Sequence, residues 1–221
     1  MEFTKENAAK LEDYLAKHEL SEGLGSKESA CSVAAINLAL NGGLTDWIPD
    51  CMSLVVGKWI IYTQDAMPSS IRNSAEWKAL LPLAAGTGRN NEKARLGIIM
   101  ADMWRVLSQL QPLADNKGFG LEWAEMVYKK TFDAAYAAAN AANAANAAAY
   151  AAAAYAAANA AAYAAADAAD ASYASYASYA AYVANAANAA YAAYVASSDV
   201  MNKFWEETIS PVNTLRMLVE A

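Results

Sequence analysis

Through the first 133 positions, apolar residues recur at intervals of three and four, the spacing of helices that bury one side. Leu11, Tyr14, Leu15 and Leu20 predict a first helix over residues 4–18, followed by a glycine-bearing turn at 21–26. Ser26 is placed to cap a second helix, in which Ala30, Val33, Ala34, Asn37, Leu38 and Leu40 precede a stop at Gly42-Gly43. Residues 46–50 carry a helix start, with Pro49 suited to a first turn. Residues 51–66 are apolar almost all round (Met52, Leu54, Val55, Val56, Trp59, Ile60, Ile61) and predict the central helix of the front half. The β-branched Val56, Ile60 and Ile61 are also compatible with a strand, the less favoured reading. Pro68 ends that element, and Asn73 and Glu76 have the spacing of a capping box that opens a helix through Trp77, Leu80 and Leu81. A long helix over 91–110 is expected to bury Leu96, Ile99, Met100, Met103 and Leu107. Another, from about 121, carries Trp123, Met126, Val127 and Phe132 and runs on with no break signal.

What it runs into is alanine. Between residues 134 and 196, 40 of 63 positions are Ala, with no Gly, Pro, Leu, Ile, Met, Lys or Arg. Alanine is the best helix former, so the stretch reads as helix. From residue 167 to 194 a larger side chain falls at every third position, including Tyr173, Tyr176, Tyr179, Tyr182, Tyr191 and Tyr194. Each step of three lags about 60° behind the last, so this stripe winds around the helix and does not hold one face. A single rod from 121 to 198 would measure about 115 Å and bury little. An antiparallel bundle or hairpin is therefore expected, with the tyrosines as its packing or interaction surface. After it come Phe204, Trp205 and a short closing helix over 212–219. The reading is all-α, in three parts: a helical domain over 1–132, the alanine-rich segment over 133–198, and a closing segment over 199–221.

Composition narrows the function more than it names it. The net charge of −7 argues against a nucleic-acid backbone as partner. Two cysteines, Cys31 and Cys51, and one histidine, His18, cannot supply the four ligands of a zinc site. They suit buried thiols in a cytoplasmic protein, and no cofactor or metal is expected. The polar start carries no signal-peptide pattern, and Asn, Asp and Ser interrupt the alanine segment too often for a membrane span.

Candidate chemistry is sparse. Residues 85–89, Ala-Gly-Thr-Gly-Arg, resemble a phosphate-cradling loop before a helix, although no Gly-Lys-Ser/Thr follows; an interhelical turn is the simpler reading. Gln64, Asp65 and Arg72 gather around Pro68 between two tryptophan-bearing helices. With Trp59, Trp77, Arg89 and Trp104 they are the ligand-binding candidates, since arginine beside aromatic rings suits a planar or phosphorylated ligand. Ion pairs and caps at a helix junction are the structural alternative. Glu92, Arg95 and Asp102 are expected to pair along their own helix. His18 reads as a cation at a helix C-terminus. No catalytic set can be assembled from these residues. The tyrosine ladder lacks the flat Thr/Ala face of ice-binding helices.

Residues 30–40, 48–52, 64–68 and 72–89 resemble a group of uncharacterised proteins of bacterial and phage genomes, which share a similar front domain and an alanine-rich tail with spaced aromatics. The alanine-rich part alone has a weaker similarity to helical proteins labelled as candidate immunity proteins. The resemblance implies no assigned activity, and its phage association implies an anti-defence role such as sequestering a nucleotide signal or a host protein. The expectation is a non-enzymatic binding or scaffold protein, with a protein partner or self-association through its alanine helices. The alternative is a small-ligand protein, a sponge or an enzyme, with a nucleotide-like ligand in a pocket between front-domain helices.

Overall fold

The computed structural model describes residues 2–116, 118–131, 133–134, 137–138, 140–141, 202–203 and 205–221. The chain is all-α: among the described residues there is no strand, only an isolated antiparallel bridge between Gly25 and Ala30. Residues 51–66 are thus not a strand. The chain divides into two compact units, Met1–Ile98 with Ser210–Ala221, and Ile99–Ile209.

In the first unit, α1 (Lys5–Lys17) opens with a reciprocal capping box between Thr4 and Asn7. Helices α2 (Ser32–Asn41), α3 (Leu54–Ala66), α4 (Ser69–Arg72) and α5 (Ala75–Ala85) follow, then the start of α6 (Glu92–Gln109), within which the division falls. A last helix, α9 (Pro211–Glu220), packs on α5 and α3. Helix α2 lies against α1, α3 and α5, so the core is a cluster of short helices: Leu11, Val33, Ile36, Val55, Val56, Ile60, Trp77, Leu81 and Leu215 are all fully buried. Short helices expose many end groups per residue, and here charged side chains from elsewhere in the chain satisfy them. Lys78 Nζ donates to the carbonyls of Leu15 and His18 at the end of α1. Arg72 donates to Gln64 and Met67 at the end of α3. Glu92 accepts from the amides of Leu54 and Val55 at the start of α3 and from the Ser53 hydroxyl. Each pairs a full charge with the helix end of opposite sign.

In the second unit the rest of α6 precedes α7 (Gln111–Asn116) and α8 (Gly120–Lys129), which pack on each other. Trp123 Nε1 donates to the Leu107 carbonyl, and Met103, Leu107, Phe119 and Met126 are buried. A π-helical turn, Trp205–Ile209, has its Thr208 and Ile209 carbonyls held by Arg105.

Five local expectations are corrected. Ser26 caps no helix: it forms a tight turn with Ser29, and α2 starts six residues later under the thiol of Cys31, which accepts from the Ala34 amide. Gly25 makes that turn at φ +72°, where a Cβ would fall 2.0 Å from the Ser29 carbonyl oxygen. Residues 46–50 start no helix, because Ser53, backed by Glu92, is the cap. Ser74, one residue past Asn73, caps α5, since the Asn73 amide is spent on both backbone groups of Leu20. Glu92, Arg95 and Asp102 do not pair with one another; Asp102 binds Arg105 instead. The helix from residue 121 does break: Lys130 turns left-handed at φ 54°, its amide closing on Met126 and its ammonium 5.7 Å from the Trp104 ring. Tyr173, Tyr176, Tyr179, Tyr182, Tyr191 and Tyr194, and the bundle expected around them, lie outside the described residues.

Candidate functional site

Helix α3 presents two faces. Its inner face, Val55, Val56, Trp59, Ile60, Thr63 and Gln64, is buried. Here the structure brings together most of the residues the sequence singles out. Trp59 and Trp77 sit with ring centroids 6.1 Å apart, tilted by 41°. Trp77 Nε1 donates to the Ser32 hydroxyl, and the Ser32 amide donates to Gln64 Oε1 at 2.8 Å. Gln64 Nε2 donates to Asp65, which also receives the Gly23 amide. Arg72 is 5% exposed; its guanidinium donates to the carbonyls of Leu20, Gln64 and Met67, and one nitrogen lies 3.4 Å from Glu22. This cluster is closed. Apart from the Thr63 hydroxyl, which is buried without a hydrogen-bond partner among the described residues, its polar groups serve one another and two loop segments, with Arg72 as the strut between them.

The glycine loop is closed too. The amides of Gly86, Thr87 and Gly88 donate to Leu83, Ala84 and Cys51, so these three cannot cradle an anion. Buried Arg95 takes the carbonyls of Thr87, Gly88, Asn90 and Leu218, and burial pushes its pKa down against the opposing pull of the Glu92 carboxylate. Residues 85–89 are an interhelical turn anchored by Arg95. Trp104 lies in the second unit, buried beneath the Lys130 ammonium.

The outer face of α3 is different. Leu54, Lys58, Ile61, Tyr62 and Asp65 recur at helical spacing and, with Asp46, Trp47, Ile48 and Arg89, line an open groove of about 560 Å³. Trp47 is 82% exposed, an unusual state for the largest apolar side chain. Its backbone is nonetheless fixed. Buried Asn37 donates to the carbonyls of Thr45 and Trp47 at 2.7 and 2.8 Å, and the Trp47 amide donates to Thr45 Oγ1. Ile48 seats in a notch on α3 made by Gly57, where a Cβ would stand 2.6 Å from Ile48 Cγ2. Arg89 reaches the carbonyls of Ile48 and Pro49 and the Asp50 carboxylate, each at 3.4 Å.

Of the sequence candidates only Asp65 and Arg89 reach this groove; Trp47, Lys58 and Tyr62 were missed. Two signals pointed to them. Trp47 stands outside every apolar stripe, and Lys58 is the sole charge in the run from Leu54 to Tyr62. Among the described residues no three His, Cys, Asp or Glu side chains are placed to hold a metal ion, and no helix is long and apolar enough to cross a membrane. Comparison with protein-family models, with curated proteins and with solved structures finds no match to this chain.

Proposed function

We propose that the protein is a non-enzymatic binding protein and that its front unit takes a small ligand in the groove on the outer face of α3. The observation that carries this reading is Trp47: a tryptophan held out to solvent on a backbone fixed by Asn37, Gly57 and Arg89. Leaving so much aromatic surface wet forfeits on the order of 2 kcal/mol that burial would supply, so the folded unit alone gains nothing by it. The groove's volume falls in the roughly 300–1,000 Å³ range of small-molecule sites, and its mix of apolar walls with a few charged side chains is typical of them. The alanine-rich segment, in this proposal, is a scaffold or self-association surface, for which its forty alanines and ten tyrosines are suited. The setting we propose is sequestration in the cytoplasm, the anti-defence role that the resemblance implies. Two free, buried thiols fit that reducing compartment.

Saturation-transfer NMR with planar anionic, planar cationic and neutral aromatic fragments tests the groove. Binding should be seen in the parent and be lost when Leu54, on the groove wall, is replaced by Trp. Fragments that bind equally to parent and Leu54→Trp, or no binding in any class, would sink the reading. Chemical conversion of a bound fragment would move the protein to the enzyme class.

A further inference from the structure

The charges that the groove leaves uncommitted identify the chemistry of its ligand. Four ionisable side chains other than Tyr62 line it: Lys58, Arg89, Asp46 and Asp65. Formally they cancel, and Asp50, paired with Arg89 at 3.4 Å, adds a carboxylate beside them; what differs among them is the hydrogen-bonding capacity each has left. Asp65 already accepts from the Gly23 amide at 2.9 Å and from Gln64 at 3.2 Å. Arg89 spends one terminal nitrogen on three acceptors at the 3.4 Å limit and keeps its remaining N–H groups. Lys58 makes no ion pair and no hydrogen bond among the described residues, so all three of its donors are unspent. Lys58 thus keeps all its donors, Arg89 keeps those beyond the nitrogen shared by Ile48, Pro49 and Asp50, and Asp46 remains as an acceptor.

The apolar part of the site is as specific. Trp47 offers a broad ring on a fixed backbone, and Ile48, Leu54 and Ile61 supply walls beside it. A planar ring stacks on such a platform whatever its edge chemistry, since every nucleobase has a π-face. Lys58 and Arg89 then meet an anionic group on the same ligand, and Asp46 accepts from a hydroxyl or amino group. A nucleoside monophosphate has all three features and fits a groove of about 560 Å³.

We infer that the groove binds a planar ring carrying a phosphate, of the size of a nucleoside monophosphate, with Trp47 as the stacking platform and Lys58 with Arg89 as the phosphate donors. This rests on the groove being a ligand site. The protein as a whole is acidic, with a net charge of −7, so the cations must act locally.

The test is calorimetric titration of the full chain with the adenosine, guanosine, cytidine and uridine monophosphates, their nucleosides, and inorganic phosphate. At least one monophosphate should bind about tenfold or more tighter than its nucleoside, the scale of one charge-assisted contact. Lys58→Met should reduce it to the nucleoside's affinity, and Trp47→Ala should abolish detectable binding of both. Trp47 is exposed and Lys58 half-buried at the groove wall, and matching melting curves will show the variants folded. Nucleosides binding as tightly as their phosphates, an unchanged affinity in Lys58→Met, or no binding by any monophosphate would each overturn the inference. If other planar fragments bind the groove while the monophosphates do not, the inference falls and the groove reading stands. If nothing binds there, both fall together.

Discussion

The two sides of α3 carry similar chemistry to opposite ends. The inner side has two tryptophans, an arginine and a glutamine; the outer groove has a tryptophan, a tyrosine, a lysine, an arginine and two aspartates, of which Asp65 also accepts from Gln64. Residue types alone would make the inner cluster the better ligand site. Donors and acceptors decide otherwise. Inside, Arg72 is surrounded by the carbonyls it serves, and Trp77 has its one donor on Ser32. Outside, Lys58 serves nothing and Trp47 faces water. A buried guanidinium whose donors are spent is a strut; a half-buried cation with no partner among the described residues, lining the same groove as an exposed ring, has capacity left.

The largest way to break this contrast is Arg72→Met. It keeps much of the apolar stem but leaves the carbonyls of Leu20, Gln64 and Met67 short of a donor in a buried site. Unsatisfied buried groups cost about 1–3 kcal/mol each. A loss of roughly 3–5 kcal/mol in urea unfolding is expected, a large share of the 5–15 kcal/mol typical of a domain. Lys58→Met, one face away, should shift the midpoint hardly at all. A cost for Arg72→Met below about 1 kcal/mol would remove the distinction between strut and site.

A smaller effect sharpens the contrast by coupling the two faces. In a helix Gly→Ala ordinarily gains up to about 1 kcal/mol. At Gly57 the new methyl would meet three carbons of Ile48 at 2.6–2.9 Å. Ile48 is branched at Cβ and its loop is tied by Asn37 and Arg89, so it cannot swing away freely. Overpacking of this kind costs about 1–3 kcal/mol, which outweighs the propensity gain. Gly57→Ala should therefore destabilise by about 1 kcal/mol and weaken fragment binding in the groove. Adding Ile48→Ala should recover stability relative to the sum of the single changes, the signature of direct contact in a double-mutant cycle. Strict additivity would show that the notch does not hold the Trp47 loop.

The fold was readable to the extent that its signals were local. The start of the first helix near Thr4, Pro68 as a stop, and the apolar positions Val55, Val56, Trp59 and Ile60 of the central helix all stand where the sequence pattern places them. Two of the misplacements share a cause, a partner far along the chain, while the others turn on local chemistry. Glu92 caps α3 from 38 residues away at the Leu54 amide, and Asn73 leaves its capping role for Leu20, 53 residues off. Cys31 caps α2 with a thiol, outside the usual Ser/Thr/Asp/Asn set. The candidate site divides the same way. Arg72, Trp59 and Trp77 are conspicuous residues, but whether their donors are spent depends on carbonyls at Leu20 and Met67 and on Ser32. Trp47 was legible only as an anomaly, an aromatic between Asp46 and Pro49 with no periodic companion.

That anomaly yields the smallest expected effect and the sharpest test. Truncating a buried tryptophan costs about 3–5 kcal/mol, which is what Trp77→Ala should show, since Trp77 is fully buried with its Nε1 bonded to Ser32. Trp47 is 82% exposed and makes its fold contacts through its backbone: its carbonyl receives Asn37, and its amide donates to Thr45. Both survive replacement by alanine, and so does the Ile48 anchor at Gly57. Trp47→Ala should leave the unfolding midpoint within the roughly 0.5 kcal/mol of an ordinary surface change. The two substitutions remove the same side chain from neighbouring regions of one unit, so their difference isolates what each ring is for. If Trp47→Ala costs several kcal/mol, the ring is packing that supports the fold, and its exposure ceases to argue for a ligand. If it costs nothing while fragment binding disappears, the fold holds this tryptophan in place for something outside itself.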